Sequence, residues 1–200
     1  MIRQIGITLA QHRRQEATLA STPVPVGRLR HLPGHSASAE VRRYATVLRL
    51  SAIAESFAAS SLNRRLERHV PPPRTEVVDS LHTRAEENAT ASWPRLTEHY
   101  SRWFKIRINQ GSCPSWRRIE AMNDLRNAIA HGLGNLTPRL ARRDRSTLAA
   151  DLATIDVVVT ANRMVVSEEA VEACGNASRE FVEWLALELQ DYDLRDPLTP

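Results

Sequence analysis

Tyr44, Val47, Leu48, Ala52, Phe57, Leu62 and Leu66 recur at helical spacing, which predicts one long amphipathic helix from Glu40 to about His69. Pro71-Pro-Pro73 forces a break after it. Thr75 to Thr90 predicts a second helix, whose Glu86-Glu87-Asn88 stretch reads as solvated. Ser92 caps a third, with Pro94 tolerated in the first turn, and this helix runs through Leu96, Tyr100, Trp103 and Phe104. Aromatics at that spacing read as core rather than as a platform for stacking bases, and His99 reads as an ordinary surface or boundary histidine. Gln110-Gly-Ser-Cys-Pro114 is a loop, and Ser115 caps the next helix. At roughly 100° per residue, Ile119, Met122, Leu125, Ile129 and Leu133 define the apolar stripe of that helix. Arg126 falls inside the stripe, while Glu120, Asp124, Asn127 and His131 lie on the far side.

A basic loop at 134–146 and one or two helical turns from Ser146 to Leu152 follow. Ile155-Asp-Val-Val-Val-Thr160 and Arg163-Met-Val-Val166 are β-branched runs joined by Ala161-Asn162, which predicts a small hairpin. Ser167 caps a last helix with Glu168 and Glu169 in its first turn, where the macrodipole favours acids. Ala170, Ala173, Phe181, Trp184 and Leu185 give that helix its buried side. Residues 1–38 show no sustained periodicity, and Ser21-Thr-Pro-Val-Pro-Val-Gly27 and Leu32-Pro-Gly-His35 break any helix there. The expected organisation is a mobile basic arm over 1–38 with a short helix near 8–19, one helical domain over 39–192, and a tail over 193–200. The fold class is mostly α, a helical bundle with a small β-hairpin before the C-terminal helix.

Two hundred residues suit one domain with a sizeable core. No apolar run approaches the ~18 residues of a membrane span, so no membrane partner is expected. Ile5 to Ala10 is too short for a signal-peptide core. The two cysteines, Cys113 and Cys174, lack metal-ligand spacing and suit inert thiols in a reducing cytoplasm. The net charge is +4, but residues 1–40 hold five arginines against two glutamates, leaving little excess for the helical domain. Arg139, Arg142, Arg143 and Arg145 cluster just after the Arg126–His131 helix, and the first three offer a place for RNA phosphates. Lys105 is the one lysine among 27 basic residues. Arginine is the better bidentate phosphate ligand, although base composition of a genome accounts for such a skew more simply.

Asp124-Leu-Arg-Asn-Ala-Ile-Ala-His-Gly132 carries the candidate chemistry. Residues four apart share a helix face, so Asn127 and His131 point the same way. Gly132 suits the left-handed exit of a helix, which places His131 in the last turn, where the macrodipole favours an imidazolium. An arginine on an apolar stripe needs a partner or a wet groove. Glu55, between Ile53 and Phe57, either is a surface residue or reaches inward to neutralise Arg126. The bland reading is a snorkelling Arg126, a capping His131 and a solvated polar face. No Gly-rich phosphate loop, HExxH or paired cysteines compete, and no ligand cluster for Mg²⁺ or Zn²⁺ is visible, so neither cofactor nor metal is expected.

Arg126-Asn-x3-His131-Gly132 resembles the R-x4-6-H signature of the HEPN superfamily of helical domains. Three further stretches resemble its RiboL-PSP branch in the same order, over about residues 40 to 190. They are Arg43 to Phe57 with an internal Glu, Trp116-Arg-Arg-Ile-Glu120, and Asn162-Arg-Met-Val-Val-Ser-Glu-Glu-Ala170 followed by Phe181-Val-Glu-Trp184. The resemblance implies a homodimeric, metal-independent endoribonuclease, of the kind found as toxins or anti-phage defence effectors, with an antitoxin or immunity protein as partner. It assigns catalysis to Arg126, Asn127 and His131. Some HEPN toxins carry a tyrosine two residues after the histidine, tied to control by a nucleotidyltransferase antitoxin; that position here is Leu133. Some HEPN domains are non-catalytic, so the alternatives are a silent module that binds RNA or a partner protein and a structural dimerisation domain.

Overall fold

Side-chain caps start several of the helices where the sequence places them. The structure, a computed structural model, describes residues 1–21 and 34–195, and the side chains of 19–21 and 34–38 lie outside the description. The order is α1 (Ile2–Ser21), α2 (Gly34–His69), α3 (Glu76–Thr90), α4 (Trp93–Phe104), α5 (Trp116–Gly132), α6 (Pro138–Ala141), α7 (Arg145–Ala153), β1 (Val158–Thr160), β2 (Arg163–Val165) and α8 (Glu168–Arg195). Thr75, Ser92, Thr137 and Asp144 cap α3, α4, α6 and α7 through their side-chain oxygens. The Ser167 hydroxyl accepts from the Ala170 N–H at 3.2 Å, as the sequence predicts for α8. The fold is mostly helical with one antiparallel hairpin before the last helix, in the register Val158↔Val165, Val159↔Met164, Thr160↔Arg163. Among the described residues no helix is long and apolar enough to cross a membrane.

The chain divides into two compact units, and α2, α5 and α8 each contribute residues to both. The first unit takes Met1–Ile53 and Arg117–Arg179. Its core is built from Val47, Leu50, Ile119, Met122, Leu125, Leu148, Leu152, Met164 and Val171, all buried. The second takes Ala54–Trp116 and the chain from Glu180 onward. There Leu62, Leu96, Tyr100, Phe104, Phe181 and Leu185 are buried, and Trp93 packs edge-on to Trp116 and Phe181 at 5.8 and 5.5 Å. The Tyr100 hydroxyl donates to the Ala58 carbonyl at 2.7 Å, and burial pushes its pKa well up. His99 is buried rather than at the boundary: its ring meets the Arg95 carbonyl at 2.7 Å and packs on Trp103. Cys113 and Cys174 are buried and form no disulfide among the described residues, and burial pushes the Cys174 thiol up to about 12.

The expected mobile arm is corrected at both ends, since α2 already begins at Gly34. Residues 2–21 are a full helix, with Ile5, Thr8, Leu9 and His12 buried along one face of the first unit. Two of those four inward positions are polar, which is why hydrophobic periodicity does not reveal the helix. His12 is nonetheless satisfied, with Thr46 Oγ1 at 3.0 Å from Nδ1 and Glu168 Oε2 at 2.7 Å from Nε2. Arg13 forks onto Glu172 at 2.6 Å, and Arg42 reaches Glu16 at 2.8 Å. Leu9 presses on Gly175 of α8 so closely that a Cβ there would lie 2.6 Å from Leu9 Cδ1. Residues 22–33 of the expected arm and 196–200 of the expected tail lie outside the described residues.

Candidate active site

Helix α5 carries Arg126, Asn127 and His131, and its exit determines how they are presented. The exit is one step later than the sequence suggests. Gly132 remains helical, and Leu133 takes the left-handed conformation at φ 50°. Leu133 consequently leaves the apolar stripe and is 77% exposed, correcting its assignment to the core. Gly134 follows at φ 89°, its N–H donating to the Ala128 carbonyl at 3.1 Å. The chain then runs antiparallel to β2. Met164 N–H donates to the Gly134 carbonyl and Leu136 N–H to the Asn162 carbonyl, both at 2.8 Å. Tyr44 of α2 lies against Gly134, and its hydroxyl donates to Glu40 at 2.7 Å. Glu40 also pairs with Arg163 on β2. The hairpin and α2 together hold the end of α5.

On that fixed end, His131 is exposed and makes no hydrogen bond or ion pair among the described residues. Arg126 and Asn127 are half-buried. Arg126 and His131 are five positions apart, roughly 140° around the helix, so their side chains leave on different sides. The Arg126 guanidinium is drawn round by its neighbour: Nη1 donates to Asn127 Oδ1 at 2.9 Å. Since Asn127 shares the face of His131, this bond turns the arginine toward the imidazole side and leaves the Asn127 amide nitrogen as a donor. Arg126 has no carboxylate partner among the described residues. Glu55, offered by the sequence as its neutralising acid, is half-buried on α2 and belongs to the second unit.

Asp124 departs most from expectation. It lies not on a solvated face but 6% exposed, paired with Arg143 and 3.5 Å from Arg139. Arg143 also binds Asp151 at 2.8 Å, and Arg117 binds the same carboxylate at 3.0 Å. The basic stretch is therefore not a free loop: α6 and the start of α7 lie within it, clamped to α5 through Asp124. Of the arginines proposed for RNA, Arg143 is engaged by two carboxylates. Arg139 is largely exposed, and Arg142 is exposed with no side-chain partner among the described residues. Burial pushes the Asp124 carboxyl up, against the opposing pull of Arg143 and Arg139. Its contribution to stability is thus greatest at acid pH and is lost as pH rises through the raised folded-state value. Arg143→Ala is expected to destabilise the fold by about 2 kcal/mol, because a buried carboxylate loses its main partner. Asp124→Asn, which removes the charge that burial disfavours, should cost less than half as much; denaturant melts of the two variants check the order.

Two other clusters stand apart from the motif. An open depression of about 520 Å³ is lined by Asp156, Glu168, Glu169 and Glu172 with Arg118, a charge pattern unsuited to phosphate. His12, Glu16 and Glu168 bring ligand-type atoms together, but Arg42 and Arg43 already neutralise the two acids. Glu67, His82 and Glu86 form another such group in the second unit. Neither group is visible in the sequence, since each joins residues of different helices, and only the i,i+4 spacing of His82 and Glu86 signals one of them. No family model, curated protein or solved structure matches this chain.

Proposed function

We propose that the chain is a metal-independent endoribonuclease of the HEPN type, acting as a toxin or defence effector, with Arg126, Asn127 and His131 as its catalytic group. The observation that carries this reading is the Arg126–Asn127 hydrogen bond beside an unpartnered, exposed His131. Together they set a fixed positive charge, an amide donor and a titratable imidazole on one end of one helix. RNA cleavage uses these groups directly. An imidazole takes the proton of the ribose 2′-hydroxyl as its oxygen attacks phosphorus. Arg126 stabilises the charge on the phosphorane-like transition state, and an imidazolium protonates the departing 5′-oxygen. The products are a 2′,3′-cyclic phosphate and a 5′-hydroxyl.

One chain supplies one such histidine, whereas the reaction uses an acid and a base on opposite sides of phosphorus. Two copies related by a two-fold axis, with their α5 ends facing, supply two imidazoles and two arginines to one cleft. Purified protein incubated with total RNA across a dilution series, with mass followed by light scattering in the same buffer, tests both parts of the reading. Cleavage is expected, and its specific activity should fall as the dimer dissociates. RNA left intact contradicts the ribonuclease reading, and a monomer with full, concentration-independent activity contradicts the shared cleft.

A further inference from the structure

The second unit buries a histidine that its hydrogen bonding does not explain. Helix α3 turns only His82 and Ala89 inward, seven residues or two turns apart on one face. Val77 and Leu81 meanwhile face solvent. An imidazole thus occupies the position where an aliphatic side chain would have gained burial energy. The His82 side chain is 4% exposed, and its Nε2 has no hydrogen-bond partner among the described residues. Leaving a buried polar atom unsatisfied is unfavourable, so a ligand for it is called for.

Carboxylates flank both ring nitrogens. Nε2 stands 3.6 Å from Oε2 of Glu67 on α2, and Nδ1 stands 3.7 Å from Oε2 of Glu86, one turn on along α3. These separations are too long for hydrogen bonds. An ion takes only one ring nitrogen, and the separation of Nε2 from Glu67 lies close to the ~3.3 Å between two donors on a tetrahedral ion with bonds of about 2.0–2.1 Å. One ligand atom from each of the three residues falls within 4.8 Å of the others. We propose that Glu67, His82 and Glu86 bind a divalent transition-metal ion, zinc in class, which ties α3 to the end of α2.

Charge and ligand chemistry agree with this. Glu67, Glu86 and nearby Asp79 bring three negative charges, and Arg74 brings one positive, 2.9 Å from Glu67 and 3.4 Å from Asp79. A divalent ion balances the remainder. Arg74, itself largely buried, holds the Glu67 carboxylate as an outer partner holds a ligating acid. One imidazole and two carboxylates suit Zn²⁺ or Mn²⁺, with a water completing the shell. Glu67 and Glu86 remain partly exposed, which gives the ion a way in. The His12 group does not share this character, because both of its ring nitrogens already have partners. The ion's role is structural, since α3 buries little else, and it is separate from the ribonuclease reading.

The test is titration of the full chain, stripped with EDTA and dialysed, with Zn²⁺ by calorimetry, and with Co²⁺ by visible absorption. One equivalent is expected to bind and to raise Tm. His82→Gln and Glu86→Gln should each weaken binding by more than about tenfold, while Glu16→Gln leaves it unchanged. Should His82→Gln fail to fold, Glu86→Gln, at a partly exposed position, decides alone. Absence of a stoichiometric site, binding unaffected by Glu86→Gln, or binding lost in Glu16→Gln would overturn the proposal.

Discussion

Replacing His131 by alanine is expected to lower RNA cleavage by about 10²–10⁴-fold, the usual contribution of a positioned acid–base group. The same change should move Tm by no more than about 2 °C, because an exposed side chain without partners contributes little to the fold. Loss of activity with stability intact separates catalysis from scaffolding, and cleavage assays beside thermal melts measure both. Arg126→Ala should reduce cleavage as well, but with some loss of stability, since Arg126 is half-buried and bonded to Asn127. In cells, growth arrest by the wild-type chain should disappear in both variants. Equal toxicity of all three would point to a binding or aggregation effect rather than to catalysis.

Gly134→Ala is expected to produce the largest loss of stability among single changes near the motif. An added Cβ would lie 2.1 Å from Tyr44 Oη and 2.8 Å from Cζ, well inside contact distance. The backbone there holds φ at 89°, a region that side-chain-bearing residues rarely adopt. Overpacking and strain together should cost about 3 kcal/mol, or roughly 6–12 °C in Tm for a chain of this size. Tyr44 cannot swing aside freely, because its ring is buried and its hydroxyl is bonded to Glu40. The consequence reaches function. Gly134 ties the exit of α5 to β2, so displacing it disturbs the turn that presents His131, and cleavage should fall together with stability. Tyr44→Phe in the Gly134→Ala background removes the closest clashing atom and should recover part of the loss.

The helices from α2 to α5 and the hairpin were legible because their signals are local. Apolar spacing sets the faces, while Ser92, Thr75 and Ser167 announce starts and Pro71-Pro-Pro73 a stop. Helix α1 was hidden because Thr8 and His12 occupy half of its buried seam, and the partners of His12 lie 34 or more positions away. Leu133 was misread for a different reason: a perfect helical phase carries no information on where the backbone leaves the helix. Asp124 had the phase of an exposed residue, and only the fold of α6 and α7 brings Arg143 onto it. The grouping of Glu67 with His82 depends on how α3 is rotated against α2, which periodicity in either helix leaves open. In the motif itself, residue types and spacing were readable. The Arg126–Asn127 bond that turns the guanidinium is a matter of rotamers, which spacing does not encode.

Analysis of the ends left on cleaved RNA tests the central reading most directly. Purified protein is incubated with a defined RNA in EDTA, at a temperature where circular dichroism shows the chain folded, and fragments are examined by mass and by susceptibility to phosphatase and kinase. Acid–base cleavage through the 2′-hydroxyl with Arg126 and His131 predicts 2′,3′-cyclic phosphate and 5′-hydroxyl ends from the wild-type chain and intact RNA from His131→Ala. Fragments bearing 5′-phosphates, cleavage that returns only with added metal, or equal cleavage by His131→Ala would contradict it.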